Sequence, residues 1–149
     1  PLKKAITSTE KEIKEQAGQG NHVIQENKEI SKVLDQMISA GLALNKNKEA
    51  IAQQIQSILA LPILKEIWNK GEHIIERDFI HKDGQVFRPD RIILSDKNCY
   101  LMDFKTGAKH KKHRIQIAQY AQILRATQYH NIIAYLIYTD PAEQIKVDV

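Results

Sequence analysis

Arg88-Pro89-Asp90-Arg91 and Met102-Asp103-Phe104-Lys105-Thr106-Gly107 are the stretches from which the fold is read. Each belongs to an apolar run of strand type, residues 86–94 and 99–105, and Ser95-Asp96-Lys97-Asn98 between them has a turn composition. Alternate side chains of a strand share a face, so Asp103 and Lys105 look one way and Phe104 looks the other way, into a core. If residues 95–98 close a symmetric hairpin, Asp90 falls directly opposite Asp103, with Cβ atoms roughly 5 Å apart. Like charges at that separation are destabilising unless a cation lies between them, and a hard divalent ion with oxygen ligands is the natural one. One β-bulge would shift this register by a residue.

Upstream, residues 73–80 read as a further strand, turned by Lys82-Asp83-Gly84. A three-residue loop there sets Glu76 opposite Asp90. Downstream, Ile115, Ile117, Ala118, Ala121, Ile123 and Leu124 predict a helix over about 112–127. Residues 131–138 are apolar enough for a strand covered on both faces. Asp140-Pro141 turns the chain and 145–149 reads as an edge strand. The first part of the chain reads as helical. Residues 3–16 form a weak helix, and Ala17-Gly18-Gln19-Gly20-Asn21 is a break. Ile30, Val33, Leu34, Met37 and Ile38 then repeat at helical spacing up to Gly41, and Ile51, Ile55, Ile58 and Leu59 follow. Pro62 opens a shorter helix with Ile63, Ile67 and Trp68, ended by Asn69-Lys70-Gly71. Helices, a three-strand meander, a helix and a strand in that order predict an α/β layer with a mixed sheet. We expect a single domain over residues 1–149, with a helical part at 1–70 and an αβ catalytic core at 71–149.

A content of 42% hydrophobic and 27% charged residues is that of an ordinary globular chain with a real core. No apolar run approaches the roughly 20 residues that span a membrane, so no membrane partner is expected. Pro1-Leu2-Lys3-Lys4 carries neither an initiator Met nor an apolar signal, and the chain is expected to be either a piece of something longer or a processed form. A single cysteine, Cys99, excludes an internal disulfide and any Cys-based zinc or iron–sulfur site, and suits a reducing, cytoplasmic setting. Because it opens an apolar strand, a buried small residue is its expected role. The net charge of +4 permits a polyanionic partner without requiring one. Residues 105–114 concentrate four Lys, one Arg and two His. Lys109, Lys111, Lys112 and Arg114 there are either a solvated helix start or phosphate contacts.

In chemical terms Asp90 and Asp103 are candidate ligands of Mg²⁺ or Mn²⁺, which would lower the pKa of a water and neutralise charge growing on a phosphate. The Phe104 backbone carbonyl would add a further oxygen. Lys105 would orient the water or hold the phosphate. Glu76 would join the acidic cluster, or else pair with Arg77, Arg88 or Arg91. Arg91 points away from Asp90 and suits a structural ion pair. Gln116 and Tyr120, a turn apart on the following helix, share a face that would bind a phosphate, a base edge or the lysine. His22, at the entry to a helix, is a candidate metal ligand. Gly18-Gln19-Gly20 lacks the lysine of a phosphate-cradling loop.

Glu76, Pro89-Asp90-Arg91, Asp103-Phe104-Lys105-Thr106-Gly107 and Gln116-x-x-x-Tyr120 together resemble the PD-(D/E)XK nuclease superfamily. They are most similar to the RecB-like nuclease domain at the C-terminus of UvrD-type helicase-nucleases. The resemblance covers residues 71–138. It implies a restriction-endonuclease-like fold with a central mixed sheet flanked by helices, and Mg²⁺-dependent hydrolysis of DNA without a covalent intermediate. It implies metal binding by Asp90 and Asp103, catalysis by Lys105, and a supporting role for Gln116 and Tyr120. A helicase motor in the same longer chain and a place in DNA repair or recombination are implied as well. Two departures stand out. The upstream Gly-x-x-x-His of many members is matched only by Gly18 and His22, and the four-Cys iron–sulfur staple of some relatives is absent. A noncatalytic DNA-binding or protein-interaction module that keeps the fold is the alternative.

Overall fold

The structure, a computed structural model, describes residues 22–41 and 47–149, and of residues 22–27 and 29 the backbone alone. The weak helix expected at 3–16 and the break at 17–21 lie outside the described residues. The described residues fall into two compact units divided after Leu59, where the sequence predicts one domain with an internal boundary at 70.

In the first unit α1 (His22–Ser39) and α2 (Lys48–Leu59) pack together. Ile30, Val33, Leu34 and Met37 of α1 and Ile55 and Ile58 of α2 are buried, which follows the 3.6-residue spacing. Lys48 Nζ reaches Asp35 Oδ1 at 2.7 Å. α1 ends before Gly41, whose φ of 70° is the left-handed conformation that favours glycine.

The second unit comprises α3 (Pro62–Ile67), β1 (Glu72–Ile75), β2 (Phe79–Ile80), β3 (Val86–Phe87), β4 (Arg91–Ser95), β5 (Asn98–Lys105), α4 (Lys111–Arg125), β6 (Ile132–Thr139) and β7 (Ala142–Val147). A mixed five-stranded sheet runs β1-β4-β5-β6-β7, with β2 and β3 forming a separate ribbon. Only β5 and β6 are parallel, and α4 is the crossover between them. The α/β class and the mixed sheet are as predicted. No described helix is long and apolar enough to cross a membrane.

The boundary falls before α3 because that helix is tied to the sheet. Ile63 N–H donates to Gln144 Oε1 on β7 at 2.9 Å. The Arg91 guanidinium lies 4.4 Å from the Trp68 ring centroid, just past α3, and donates to His73 Nδ1 at 3.2 Å. A guanidinium only donates and a carbonyl only accepts, so the His73 proton sits on Nε2, which donates to Trp68 O at 2.9 Å. Gly71 follows the helix at φ 76°, where an added Cβ would lie 1.8 Å from Leu94 O.

The first hairpin keeps the expected register although its turn is shorter. Ser95 pairs with Asn98 and Arg91 with Met102, so residues 90 and 103 stand across from each other. Asp96, at φ 52°, allows the two-residue turn. The second hairpin also keeps its register, Ile75 opposite Arg91 and Phe79 opposite Phe87, with Lys82-Asp83-Gly84 as its loop. The sequence did not reveal that this hairpin is broken. Ile74 and Phe79 are an odd number of residues apart, and strict alternation would put them on opposite faces. Both nonetheless pack on the core beneath α4. Across from them, Ile92 belongs to that core and Phe87 meets Tyr120 of α4 edge to face, with ring centroids 5.9 Å apart. Both strands therefore exchange faces between the same two rungs. Glu76, at φ 45°, is the kink, and the Arg88 guanidinium closes the gap by donating to both Asp78 oxygens at 2.6 and 2.9 Å.

Candidate active site

β5 and α4 build the site. Cys99 and Leu101 of β5 lie in the core with Ile117, Ala121 and Leu124 of α4. The same alternation carries Asp103 and Lys105 onto that face, so the apolar row ends in a carboxylate and an amine. Asp103 is only 4% exposed, and the Lys105 ammonium stands 2.5 Å from its Oδ2. The ammonium also donates to Gln116 Oε1 at 2.5 Å, and Gln116 Nε2 donates to Tyr120 Oη at 3.1 Å. Gln116 and Tyr120 occupy one face of α4, one turn apart, which allows this chain of contacts.

Asp90 lies just ahead of β4, in the position across from Asp103. Its Oδ2 accepts the Phe104 N–H at 2.7 Å, supplying the ladder bond that β4 stops short of. The N–H and C=O of one strand residue face the same neighbour, so the Phe104 carbonyl lies on the Asp90 edge too. Both carboxylates act on Tyr120. Burial raises its phenol pKa, the charge of Asp103 and then that of Asp90 raise it further, and the Gln116 hydrogen bond opposes them.

The third carboxylate expected here stands apart. Glu76 takes the place opposite Asp90, its N–H donating to the Asp90 carbonyl at 3.2 Å. The left-handed kink removes it from the strand alternation, its side chain is exposed, and its charge acts on Arg88. Among the described residues no three His, Cys, Asp or Glu side chains gather as a metal group. Arg91 turns to the opposite face, as expected, against Trp68 and His73. His22 heads α1, and its side chain lies outside the described residues.

The basic run lies at the entry to α4. Lys111, Lys112 and Arg114 are exposed. Lys109 Nζ bridges the two Glu143 oxygens at 2.7 and 2.6 Å. His110 caps the helix by accepting the Lys112 N–H on Nδ1 at 3.1 Å. Two residues beside Lys105 escaped the sequence reading. Tyr138 is buried opposite Lys105 on β6, and its hydroxyl lies 3.0 Å from His113 Nδ1. Burial first, then the charges of Lys105 and His110, hold the His113 pKa below its ordinary value. The signal was present: His113, Gln116 and Tyr120 fall on one helical stripe. Cys99 is buried as expected, and burial pushes its thiol up to about 11.

No protein-family model matches the chain, and no curated protein matches it. Among solved structures, one described as "Crystal structure of SSO0001" aligns over 98% of this chain and 66% of that chain. The identity is 19% and the TM-score 0.34, so the alignment carries no argument about fold or activity. This chain thus spans just under two thirds of the length of that one.

Proposed function

We propose that this chain is a DNA nuclease domain of the PD-(D/E)XK kind, restriction-endonuclease-like in fold and dependent on Mg²⁺ or Mn²⁺. On this reading it is part of a helicase-nuclease that acts in DNA repair or recombination. What supports the reading is one juxtaposition: a desolvated carboxylate, a second carboxylate and an amine at one end of the sheet, backed by Gln116 and Tyr120. A surface that only attracted DNA would gain nothing from clustered carboxylates.

The donor set suits the ion. Mg²⁺ is usually held by one or two carboxylates and shares the rest of its shell with water and substrate phosphate. Asp103 and Asp90 would be those carboxylates, with the Phe104 carbonyl on the same edge. The cation, when bound, lowers the pKa of a water and offsets charge developing on the phosphate. Lys105 holds the phosphate or orients the water, and Gln116 and Tyr120 keep its ammonium in place. Burial of Asp103 strengthens every charge interaction at the site.

The test is cleavage of a labelled DNA duplex and single strand in Mg²⁺ and in Mn²⁺. Asp103→Ala should abolish cleavage, and Lys105→Ala should lower it by about 10²–10⁴-fold, both with the fold retained. Wild-type rates in both variants would remove the assignment. Tight DNA binding with no cleavage in either cation would leave the noncatalytic reading.

A further inference from the structure

The C-terminal end of β5 gathers cationic groups as well as carboxylates. The His113 ring lies tilted against that of Tyr138 with centroids 5.8 Å apart, and the His110 ring lies 6.1 Å from that of His113. Lys109 Nζ lies 6.0 Å from the Tyr138 ring centroid, and Lys105 is its partner across the parallel ladder. His113 and Lys109 thus lie against one buried tyrosine, with Lys105 beside it on the next strand and His110 next to His113. Two carboxylates border the group. Asp103 on β5 pairs with Lys105, and Glu143 on β7 pairs with Lys109. Among the described residues neither histidine pairs with a carboxylate here. Like charges pressed together cost free energy, and an anion relieves that cost.

We propose that His113, with His110 and Lys109, forms an anion subsite that takes a backbone phosphate of nucleic acid next to the one held by Lys105. The identity of the ligand rests on the nuclease reading; the subsite itself rests on the cluster. Tyr138 holds His113 Nδ1, so Nε2, on the far side of the ring, faces the ligand. His110 accepts on Nδ1, which leaves its Nε2–H as a donor. Neutral His113 has one N–H to offer. Protonated, it offers two, one to Tyr138 and one to the phosphate, together with a charge. Burial, and then repulsion from Lys105 and His110, disfavour this proton, and the arriving anion offsets the repulsion. Binding therefore takes up a proton, and affinity rises as pH falls from the bound-state pKa of His113 towards its lowered value in the free protein.

The experiment uses the full chain in EDTA, so cleavage plays no part. A fluorescein-labelled oligodeoxynucleotide is titrated by anisotropy between about pH 8 and about pH 5.5. Wild type should tighten by about 3- to 10-fold across that range, within the limit of about tenfold per pH unit for one linked proton. His113→Gln keeps an amide for Tyr138 but takes no proton, so most of this gain should vanish. A gain equal to wild type in this variant overturns the subsite. Should the variant fail to fold, NMR titration of the His113 ring in the wild type decides. Its pKa should rise when the oligonucleotide is added, and an unmoved pKa overturns the proposal. A rise with inorganic phosphate but not with the oligonucleotide would overturn the nucleic-acid occupant. Absence of cleavage in both Mg²⁺ and Mn²⁺ would sink the nuclease reading and leave these results standing. Cleavage with no proton linkage would do the reverse.

Discussion

Asp90 joins the fold to the candidate chemistry, and two substitutions separate the roles. Its Oδ2 accepts the Phe104 N–H at 2.7 Å, in a half-buried position where β4 has ended. Asp90→Ala removes the acceptor and leaves a strand N–H without its bond. A hydrogen bond to a charged group contributes about 1.5–3 kcal/mol, so local opening at Phe104 should become about 10- to 150-fold easier. Asp90→Asn keeps an oxygen for that N–H and should cost about 1 kcal/mol or less, but it removes the negative charge a cation needs. Hydrogen exchange of the Phe104 amide reads the first effect, and Mn²⁺ titration with cleavage rates reads the second. The expected pattern is a fast-exchanging Phe104 amide in the alanine variant alone, and lost metal affinity in both. Wild-type metal affinity and cleavage in Asp90→Asn would refute the ligand role. Unchanged Phe104 exchange in Asp90→Ala would refute the structural one.

Gly71→Ala forces a Cβ to within 1.8 Å of Leu94 O at φ 76°, so a thermal melt should show a loss of at least ~2 kcal/mol; a wild-type melt would contradict the packing of β1 on β4. With its thiol pushed up to about 11 by burial, Cys99 should resist a disulfide reagent in the native state near neutral pH and react in urea; rapid native labelling would contradict its burial. Replacing Lys111, Lys112 and Arg114 by alanine should make the salt dependence of DNA binding shallower by about 0.7–0.9 in slope for each phosphate no longer neutralised. An unchanged slope would mean that these side chains are only solvated.

Much of the second unit was legible because a hairpin's register follows from the centre of its turn. The turn after Ser95 came out two residues shorter than its composition suggests, yet its centre did not move, so Asp90 still meets Asp103. The apolar stripes of α1, α2 and α4 were readable from spacing, except that Ile115, counted with the apolar face of α4, is exposed. The kink at Glu76 was not readable. A non-glycine residue with positive φ leaves no mark in composition, and Glu76 was accordingly expected beside Asp90. His113 and Tyr138 were hidden for another reason. Their meeting depends on the offset between β5 and β6, which a helical crossover conceals where a tight turn would display it. That the helix opened by Pro62 belongs with the sheet was not readable either, because it is bound there through contacts distant in sequence.

The simultaneous change of face in both strands of the second hairpin makes its outer arm an interchangeable part. The rungs on either side of the break stay matched, so residues 79–87 could be lengthened, shortened or grafted from elsewhere without displacing Asp90. Ile80 and Val86 form the exposed rung of that arm. Variation could accumulate there, altering what the arm touches while the carboxylates behind it keep their places.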